Sequence, residues 1–486
     1  MTDTSGAPAR ARGTAQVWEA LGGDPALLSR VRYEGEGALP SALPVMELAR
    51  AAVAGCSLAA AEFAARRAEG GSVPGVRVDD GAVTAAFLSD RLVRVDGVAP
   101  AAFAPLSRFW RTADGWVRTH ANYPHHRARL LTALGLPDRP NAHTDTDAQA
   151  QTEAVGAELA ARRALEVEET VYAAGGLAVA VRSPEEWAAH EQGTLSAKRP
   201  LLTVERLGGG PRRSPAGSAR LADGTLSPAA GLRVLDLTRV LAGPIATRTL
   251  ALLGADVLRV DDPGLAESQD IHNDTGLGKR STLLDLRGGG SGGDRRAFEE
   301  LLAQADVVVL GYRPGALEQL PGLSPEELAE RRPGLVIGRL SAWGRYGPWA
   351  ARRGFDSLVQ AATGIAVTEA AGAGAPGALP TQALDHATGY LLAAGVLRAL
   401  TDQCEEGGAR LVDAALARTA AWLTHGLEKD APREEPRPYD PEPWLTETDS
   451  PMGRLRHALP PVLLDNGPSN WARPSGRWGA DAPEWL

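Results

Sequence analysis

Hydrophobic positions change their period along the chain. From Ala15 to about Ala68 apolar residues recur at helical spacing, as in PVMELARAAVAG and SLAAAEFAARRAEGG, which predicts helices. After residue 231 short apolar runs alternate with helical segments; the runs are LRVLDL, DVLRVDD, ADVVVLG and GLVIGRLS. Such alternation predicts parallel strands joined by right-handed crossovers. We therefore expect an α/β fold with an open, Rossmann-like, mostly parallel sheet and a second, smaller α+β domain.

Turn-forming residues divide this pattern into parts. FWRTADGWVRTHAN predicts a β-hairpin with Asp114 and Gly115 in its turn. The stretch LGGGPRRSPAGSARLADGTLSPAA is rich in glycine, proline and serine and predicts a linker. We expect a helical N-terminal region (1–100), a small α+β region (101–206), a linker (207–230), a Rossmann-type core (231–428), and a Pro-rich linker with a returning C-terminal tail (429–486).

Charge and composition exclude several classes of function. The 486 residues carry a formal net charge of -9, which argues against nonspecific nucleic-acid binding. Two distant cysteines, Cys56 and Cys404, do not suggest a disulfide scaffold. No uncharged apolar stretch of about 18 residues predicts a membrane span, and the first residues lack the apolar core of a signal peptide. We expect a cytoplasmic protein that binds neither nucleic acid nor membrane.

Several familiar motifs are absent from the sequence. The turn after the first core strand reads TRVLAGPIAT, without the G-x-G-x-x-G of dinucleotide-binding proteins. No G-x-S-x-G motif marks a serine hydrolase. The histidines at 120, 125, 126, 272 and 386 lack the spacing of a zinc site. We expect no metal and no permanently bound cofactor.

Four charged residues are candidates for binding or chemistry. Lys279 and Arg280 precede a short strand, and Arg313 follows the VVVL strand. Because ligands of open parallel sheets bind beyond the carboxyl ends of the strands, Arg313 is placed to meet a phosphate, although a solvated surface charge is the ordinary alternative. Asp385 stands at the entrance of the apolar helix ATGYLLAAGVLRAL. From local sequence alone, a helix N-cap is the favoured role for Asp385.

An ordered series of blocks over about residues 229–427 resembles class III (CaiB/BaiF-type) CoA-transferases and the related α-methylacyl-CoA racemases. The blocks are GLRVLDLTRVLAGPIATRTLALLGADVLRVDDPG, LGKRSTLLDLR, ADVVVLGYRPGALEQLPGLSPEELAERRPGLVIGRLSAWGRYGPWAARRGFD and LPTQALDHATGYLLAAGVLRAL. The resemblance implies transfer of coenzyme A from an acyl-CoA to a carboxylic acid, with acyl-CoA and the acid as partners. It also implies a homodimer of interlocked chains.

The resemblance assigns roles to particular positions. Asp385 in QALDHATGY matches the nucleophile, which forms an acyl-aspartyl anhydride and then an aspartyl-CoA thioester. The residues matching the coenzyme A site are Val240, Leu241, Ala242, Lys279, Arg280, Tyr312 and Arg313. Phe355 in Gly354-Phe355-Asp356 stands where the racemase branch has a histidine base. Racemisation of a 2-methylacyl-CoA is one alternative function, and an inactive CoA-binding paralogue is the other.

The order of the parts departs from the family. FWRTADGWVRTHANYPHHRARLLTALGLP (109–137) and SPEEWAAHEQGTLSAKRP (183–200) resemble the family's small domain, which normally follows the core. In this chain they precede the core. The order is therefore expected to be permuted, or one repeat of a duplicated ancestor has been trimmed.

Overall fold

The computed structural model describes residues 9–68, 71–101, 103–138, 145–213, 219–287, 292–370, 372, 374–429 and 438–486. Its strands are β1 (Val31–Glu34), β2 (Val76–Asp79), β3 (Arg94–Val95), β4 (Phe109–Arg111), β5 (Trp116–Thr119), β6 (Ala178–Ala180), β7 (Leu202–Arg206), β8 (Arg233–Leu237), β9 (Asp256–Asp261), β10 (Arg280–Leu283), β11 (Val307–Leu310), β12 (Val336–Ser341), β13 (Arg410–Ala415), β14 (Leu445–Ser450), β15 (Gly453–Ala458) and β16 (Leu463–Leu464).

The α-helices of the same residues are α1 (Arg12–Ala20), α2 (Val45–Arg67), α3 (Asp80–Phe87), α4 (Ser89–Leu92), α5 (Pro124–Ala133), α6 (Asp145–Ala160), α7 (Ala164–Ala173), α8 (Pro184–Ala189), α9 (Glu191–Lys198), α10 (Ala242–Leu252), α11 (Gln269–Thr275), α12 (Gly293–Leu302), α13 (Pro325–Arg331), α14 (Asp356–Ala362), α15 (Ile365–Thr368), α16 (Ala383–Glu406) and α17 (Leu416–Ala421). Short 3₁₀ or π segments are Ala9–Ala11, Pro25–Arg30, Trp422–Gly426 and Glu442–Trp444.

The main sheet has seven strands in the order β10-β9-β8-β11-β12-β13-β7. The first six are parallel, and β11 is buried along its whole length, as expected for a strand covered on both faces. Numbered along the chain, these six strands follow the order 3-2-1-4-5-6 of a doubly wound sheet. The predicted open, mostly parallel α/β sheet is confirmed. The strand order reverses between β8 and β11, which opens a crevice at their carboxyl ends.

The first half of the chain takes part in this main structure. β7 pairs antiparallel with β13, with Leu202 opposite Ala414 and Arg206 opposite Arg410. Helix α2 packs along α16, and both contribute to one continuous apolar core with β8, α10 and β12. The predicted region 1–100 and the end of region 101–206 are therefore packed together with the core at 231–428.

The smaller α+β unit is built on the sheet β4-β5-β6, which is antiparallel throughout. The predicted hairpin is confirmed, because Phe109 pairs with Arg118 and Arg111 pairs with Trp116 around the turn. Helices α5, α6 and α7 close a separate apolar cluster over this sheet. The indole N–H of Trp110 donates to the hydroxyl of Thr119 at 2.8 Å, which satisfies the polar atom of a buried aromatic ring.

The C-terminal segment returns to the N-terminal region. β16 pairs with β2, and β15 pairs with β3 through Leu455 opposite Val95. The region 1–100 thus contains three short strands as well as helices. Parts of both predicted linkers, 214–218 and 430–437, lie outside the described residues.

Helix α2 is long and apolar enough to cross a membrane by length and composition. In the structure, 89% of its most apolar window is buried inside the protein. It lies against α16 with residues such as Leu48, Val53 and Leu58 fully buried. Its apolar character is accounted for by packing in the protein core.

Gly389→Ala should destabilise the protein, although alanine normally favours a helix over glycine by about 1 kcal/mol. A Cβ atom at Gly389 on α16 would lie 2.6 Å from the carbonyl oxygen of Ala242 and 2.8 Å from the Cβ of Ile245. We expect the free energy of unfolding in urea to fall by about 1–3 kcal/mol. The control is Gly156→Ala on α6, where the nearest atom is 3.4 Å away and stability should rise. A gain at both positions would contradict close packing of α16 on α10.

Candidate functional site

A cavity of about 570 Å³ lies beyond the carboxyl ends of the parallel strands, where the strand order reverses. Part of the wall comes from the segments after β8, β9, β10, β11 and β12, and another part comes from the start of α5. Of the residues predicted from sequence, the structure places Asp385, Val240, Leu241, Ala242, Tyr312 and Arg313 in the cavity lining. Further lining groups are Tyr123, His125, His126, Arg129, Arg239, Arg352, Arg353 and Phe355.

The turn after β8 is strained at Val240. Its φ of 69° lies in the left-handed region, which costs a β-branched residue about 1–3 kcal/mol. The N–H of Val240 donates to Oε2 of Glu267 at 3.2 Å, and Arg259 donates to the same oxygen at 3.3 Å. The buried Glu267 therefore holds the turn in a conformation that presents Val240 to the cavity.

Asp385 is the third residue of α16 and is only 6% exposed. Within the described residues, no hydrogen bond or ion pair engages its carboxyl oxygens. Its pKa is raised well above the usual range, first by burial and then by the negative charges of Asp356 and Asp90. Asp90 lies 3.5 Å from Nε2 of His386, the residue that follows Asp385. Asp385 is thus a buried carboxyl group that faces a cavity without a partner.

The capping role belongs to a different aspartate. Gln382 is the N-cap of α16, so the expectation that Asp385 is the N-cap is wrong. The carboxylate of Asp356, at the start of α14, accepts the N–H groups of Leu384 at 2.9 Å and Asp385 at 3.1 Å. Burial raises the pKa of Asp356 to about 6, while these bonds and one from Gln360 act in the opposite direction. Asp356 therefore positions the backbone of Asp385.

Lys279 and Arg280 do not line the cavity. The buried ammonium of Lys279 donates to Asp236 at 2.9 Å, to the carbonyl of Pro244 at 2.8 Å and to Thr247 at 2.6 Å. Arg280 pairs with Asp256 at 2.9 Å on the same sheet. Both charges are used inside the fold, so neither is carried forward as a coenzyme A ligand.

Sequence patterns did not indicate the part of the cavity wall that comes from the smaller α+β unit, here called the small-unit wall. Tyr123, His125 and His126 lie at the start of α5 and line it. His120 stacks on Phe355 with ring centroids 3.7 Å apart. Burial lowers the pKa of His126 to about 2, with further lowering by neighbouring cations and imidazoles. The aromatic and basic run YPHHRAR was the sequence feature that could have indicated this wall. Its place in the same cavity as Asp385 depends on tertiary contacts with Phe355, more than 200 positions away.

A second long helix begins in the same way. Gly-Ala-Leu-Pro occurs at 37–40, shortly before α2, and again at 377–380, shortly before α16. The third residue of α2 is also acidic, Glu47, and each helix is followed by a strand and a further helix. Glu47, however, pairs with the buried Arg50 and accepts the N–H of Gly13 at 3.0 Å. Of these two matching acids, Asp385 is the one that faces the cavity.

Comparison with known proteins identifies the class that this fold and site define. The model of CoA-transferase family III matches residues 6–221 and, separately, residues 229–440. The chain belongs to CoA-transferase family III.

Individual relatives match over part of their length. An acetyl-coenzyme A transferase of Hypoxylon pulicicidum is 33% identical over 245 residues, which are 49% of this chain and 39% of that protein. A probable fatty acyl-CoA transferase of Mycobacterium tuberculosis is 34% identical over 235 residues, 43% of this chain and 58% of that protein. The crystal structure of Rv3272 from M. tuberculosis shows 36% identity, covers 42% of this chain and 57% of its own, and has a TM-score of 0.39. This chain spans about half the length of the curated relatives it matches.

Asp385→Asn should make the protein more stable relative to wild type as pH rises. A carboxyl group whose folded pKa is raised contributes stability below its unfolded pKa of about 3.9, and that contribution is lost as pH rises through the folded pKa. Each unit of difference between the folded and the unfolded pKa corresponds to about 1.4 kcal/mol of unfolding free energy. We expect equal unfolding free energies near pH 4 and an advantage for the Asn variant at pH 7, measured by urea denaturation. A constant difference between the proteins across this range would contradict the raised pKa.

Proposed function

We propose that the protein transfers coenzyme A from an acyl-CoA to a carboxylic acid, with Asp385 as the nucleophile. The observation that carries the proposal is the buried, unpartnered carboxyl group of Asp385 in the lining of the cavity. Family membership and the names of the relatives, which are acyl-CoA transferases, support this class of reaction. The proposed binding residues for coenzyme A are Val240, Leu241, Ala242, Tyr312 and Arg313.

The first half of the proposed reaction loads coenzyme A onto the protein. A carboxylate oxygen of Asp385 attacks the thioester carbonyl, the C–S bond breaks, and the products are an acyl-aspartyl anhydride and CoA thiolate. The thiolate then attacks the aspartyl carbonyl of the anhydride. The donor acid leaves as a carboxylate, and Asp385 carries coenzyme A as a thioester.

The second half runs the same steps with the acceptor. The acceptor carboxylate attacks the aspartyl thioester and releases CoA thiolate, which leaves a new anhydride on Asp385. The thiolate then attacks the acyl carbonyl of the acceptor, which forms the new acyl-CoA and frees the Asp385 carboxylate. No water, oxidant or metal enters the balance, so the thioester bond is conserved. The low exposure of Asp385 limits the access of water to such hydrolysable intermediates.

The raised pKa of Asp385 bears on its reactivity. A carboxylate that burial destabilises gains more from forming a neutral ester-like bond than a solvated one does. The N–H groups of Leu384 and Asp385 are already bonded to Asp356, so they cannot stabilise the developing oxyanion as a free helix start would. We assign that role to the first turn of α10, where Ala242 and Gly243 line the cavity.

Asp385→Asn should abolish exchange of coenzyme A between acids while leaving coenzyme A binding unchanged. We expect the rate of isotope-labelled acid incorporation into acyl-CoA to fall by at least about a thousandfold, because the other carboxyl groups in the described lining, Asp261 and Asp262, are paired with Arg259 and Arg287. The matched control is Asp402→Asn on the same helix, whose carboxylate pairs with Arg398 at 2.8 Å and does not line the cavity. Exchange by the Asp385 variant at near the wild-type rate would overturn the assignment. Coenzyme A binding without exchange in wild type would favour the inactive-paralogue alternative.

Racemisation of a 2-methylacyl-CoA is not expected. Phe355 has no acid–base group. The nearby imidazole of His126 has a pKa lowered to about 2, which is too low for a base that removes an α-proton near neutral pH. The measurement is uptake of deuterium from D₂O at the α-carbon of a 2-methylacyl-CoA, followed by mass spectrometry. Uptake at a catalytic rate would reinstate the racemase alternative, with His125 and His126 as the candidate bases.

The interlocked homodimer, the cytoplasmic location and the permuted or trimmed order of parts remain predictions of the sequence analysis.

A further inference from the structure

A tyrosine hydroxyl joins the smaller α+β unit to the turn after β8. The hydroxyl of Tyr123, the residue before α5, donates to Oε1 of Glu267 at 2.7 Å, and Oε2 of the same carboxylate accepts the N–H of Val240 at 3.2 Å. The guanidinium carbon of Arg239 lies 5.0 Å from the centroid of the Tyr123 ring. Both residues of the turn are thus connected to Tyr123, Val240 through Glu267 and Arg239 directly.

The turn depends on such contacts because its conformation at Val240 is unfavourable by itself. A β-branched residue rarely adopts a φ of 69°, and such a conformation persists only where the surrounding structure enforces it. The side chain of Glu267 is fully buried, and burial by itself raises its pKa. The charges of Arg259 and Arg239 and the bond from Tyr123 outweigh burial and hold the pKa below its usual value. Glu267 therefore accepts these bonds as a carboxylate near neutral pH.

Glu267 acts on the turn from outside the cavity. Among the described residues, Val240 and Tyr123 line the cavity, and Glu267 does not. Glu267 therefore influences a ligand through the turn and not by touching it. Tyr123 and Glu267 are 144 positions apart along the chain, so their hydrogen bond forms only when the smaller unit is docked against the main sheet.

We propose that Tyr123 and Glu267 are positioning residues that hold the turn after β8 in its coenzyme A-binding conformation, so that docking of the smaller unit prepares the turn for its ligand. This rests on the proposed role of Val240 in binding coenzyme A and adds two residues that act on it. Without the carboxylate, the N–H of Val240 loses its acceptor and the turn relaxes to a negative φ. Binding must then restore the strained conformation, which lowers the affinity.

The test is a double-mutant cycle on the affinity for coenzyme A, measured by isothermal titration calorimetry. In Glu267→Ala we expect Kd to rise about 5- to 100-fold, the factor that corresponds to restoring a left-handed β-branched residue. In the Val240→Gly background the same substitution should raise Kd less than about threefold, because glycine adopts a positive φ without steric cost. An equal loss of affinity in both backgrounds would overturn the proposal.

Tyr123→Phe tests the link to the smaller unit, because it keeps the ring beside Arg239 and removes only the hydroxyl. We expect Kd to rise about 2- to 10-fold, and to rise less in the Val240→Gly background. Direct contact with the ligand is the alternative role of this hydroxyl, and its loss would then be the same in both backgrounds. The matched control is Tyr33→Phe, whose hydroxyl donates to Thr14 at 2.7 Å away from the cavity lining, and which should bind as wild type does.

Unfolding in urea separates failure of this proposal from failure of the proposed function. Val240→Gly should stabilise the wild-type protein more than it stabilises Glu267→Ala, in which the turn has already relaxed. If wild type does not bind coenzyme A, the proposed function fails, and this coupling still decides whether Glu267 holds the turn. An equal effect of Val240→Gly on both proteins refutes the positioning role. If Glu267→Ala does not fold, the same cycle is measured with Tyr123→Phe.

Discussion

The carboxylate of Asp356 fixes the start of α16, and the arrangement of the site depends on that contact. It accepts the backbone N–H groups of Leu384 and Asp385, so the loop after β12 and the first turn of α16 are tied together inside the core. Phe355 and Arg353, just before Asp356, are thereby held in the cavity wall. Burial raises the pKa of both carboxyl groups. The charge of Asp356 adds to the rise at Asp385, whereas the two N–H bonds act against the rise at Asp356.

Several buried charges in the described parts of the chain are paired with an opposite charge, in contrast to Asp385 in the cavity. Lys279 has Asp236, and Glu47 has Arg50, although Glu47 occupies the position in α2 that Asp385 occupies in α16. Removing one partner of a buried ion pair leaves an uncompensated charge, which strongly destabilises the fold. Asp385, Arg129 and Arg353 have no such partner among the described residues. Their charges are therefore better explained by the binding of a ligand than by a contribution to stability.

The period of the hydrophobic pattern was sufficient to predict the open, mostly parallel sheet, because VVVL and most of LRVLDL are buried and helical segments separate the strands. Position after a strand also placed Arg313 at the edge of the sheet where the cavity lies, since the carboxyl ends of parallel strands share one edge. Val240 and Lys279 were indicated by the family resemblance. Lys279 does not line the cavity, because its charge is paired with Asp236, 43 positions away, and nothing local reveals that pair.

The other features that were not predicted from sequence depend on contacts between residues that are far apart along the chain. The capping acid of α16 lies in the preceding GFD block, so the local sequence of the helix pointed to the wrong aspartate. The small-unit wall comes from α5, more than 200 positions before Phe355. β7, placed by sequence in a separate domain, completes the edge of the main sheet by antiparallel pairing with β13. None of these contacts follows from periodicity or propensity, because each joins elements that are distant along the chain.

The central claim is that Asp385 forms a covalent intermediate, and trapping with hydroxylamine tests it most directly. The protein is incubated with acyl-CoA and hydroxylamine, digested, and its peptides are analysed by mass spectrometry. The account predicts a hydroxamate on the peptide that contains Asp385, present only when acyl-CoA is added. Transfer of coenzyme A without this adduct, or a hydroxamate on another acidic residue such as Asp356 instead, would contradict it.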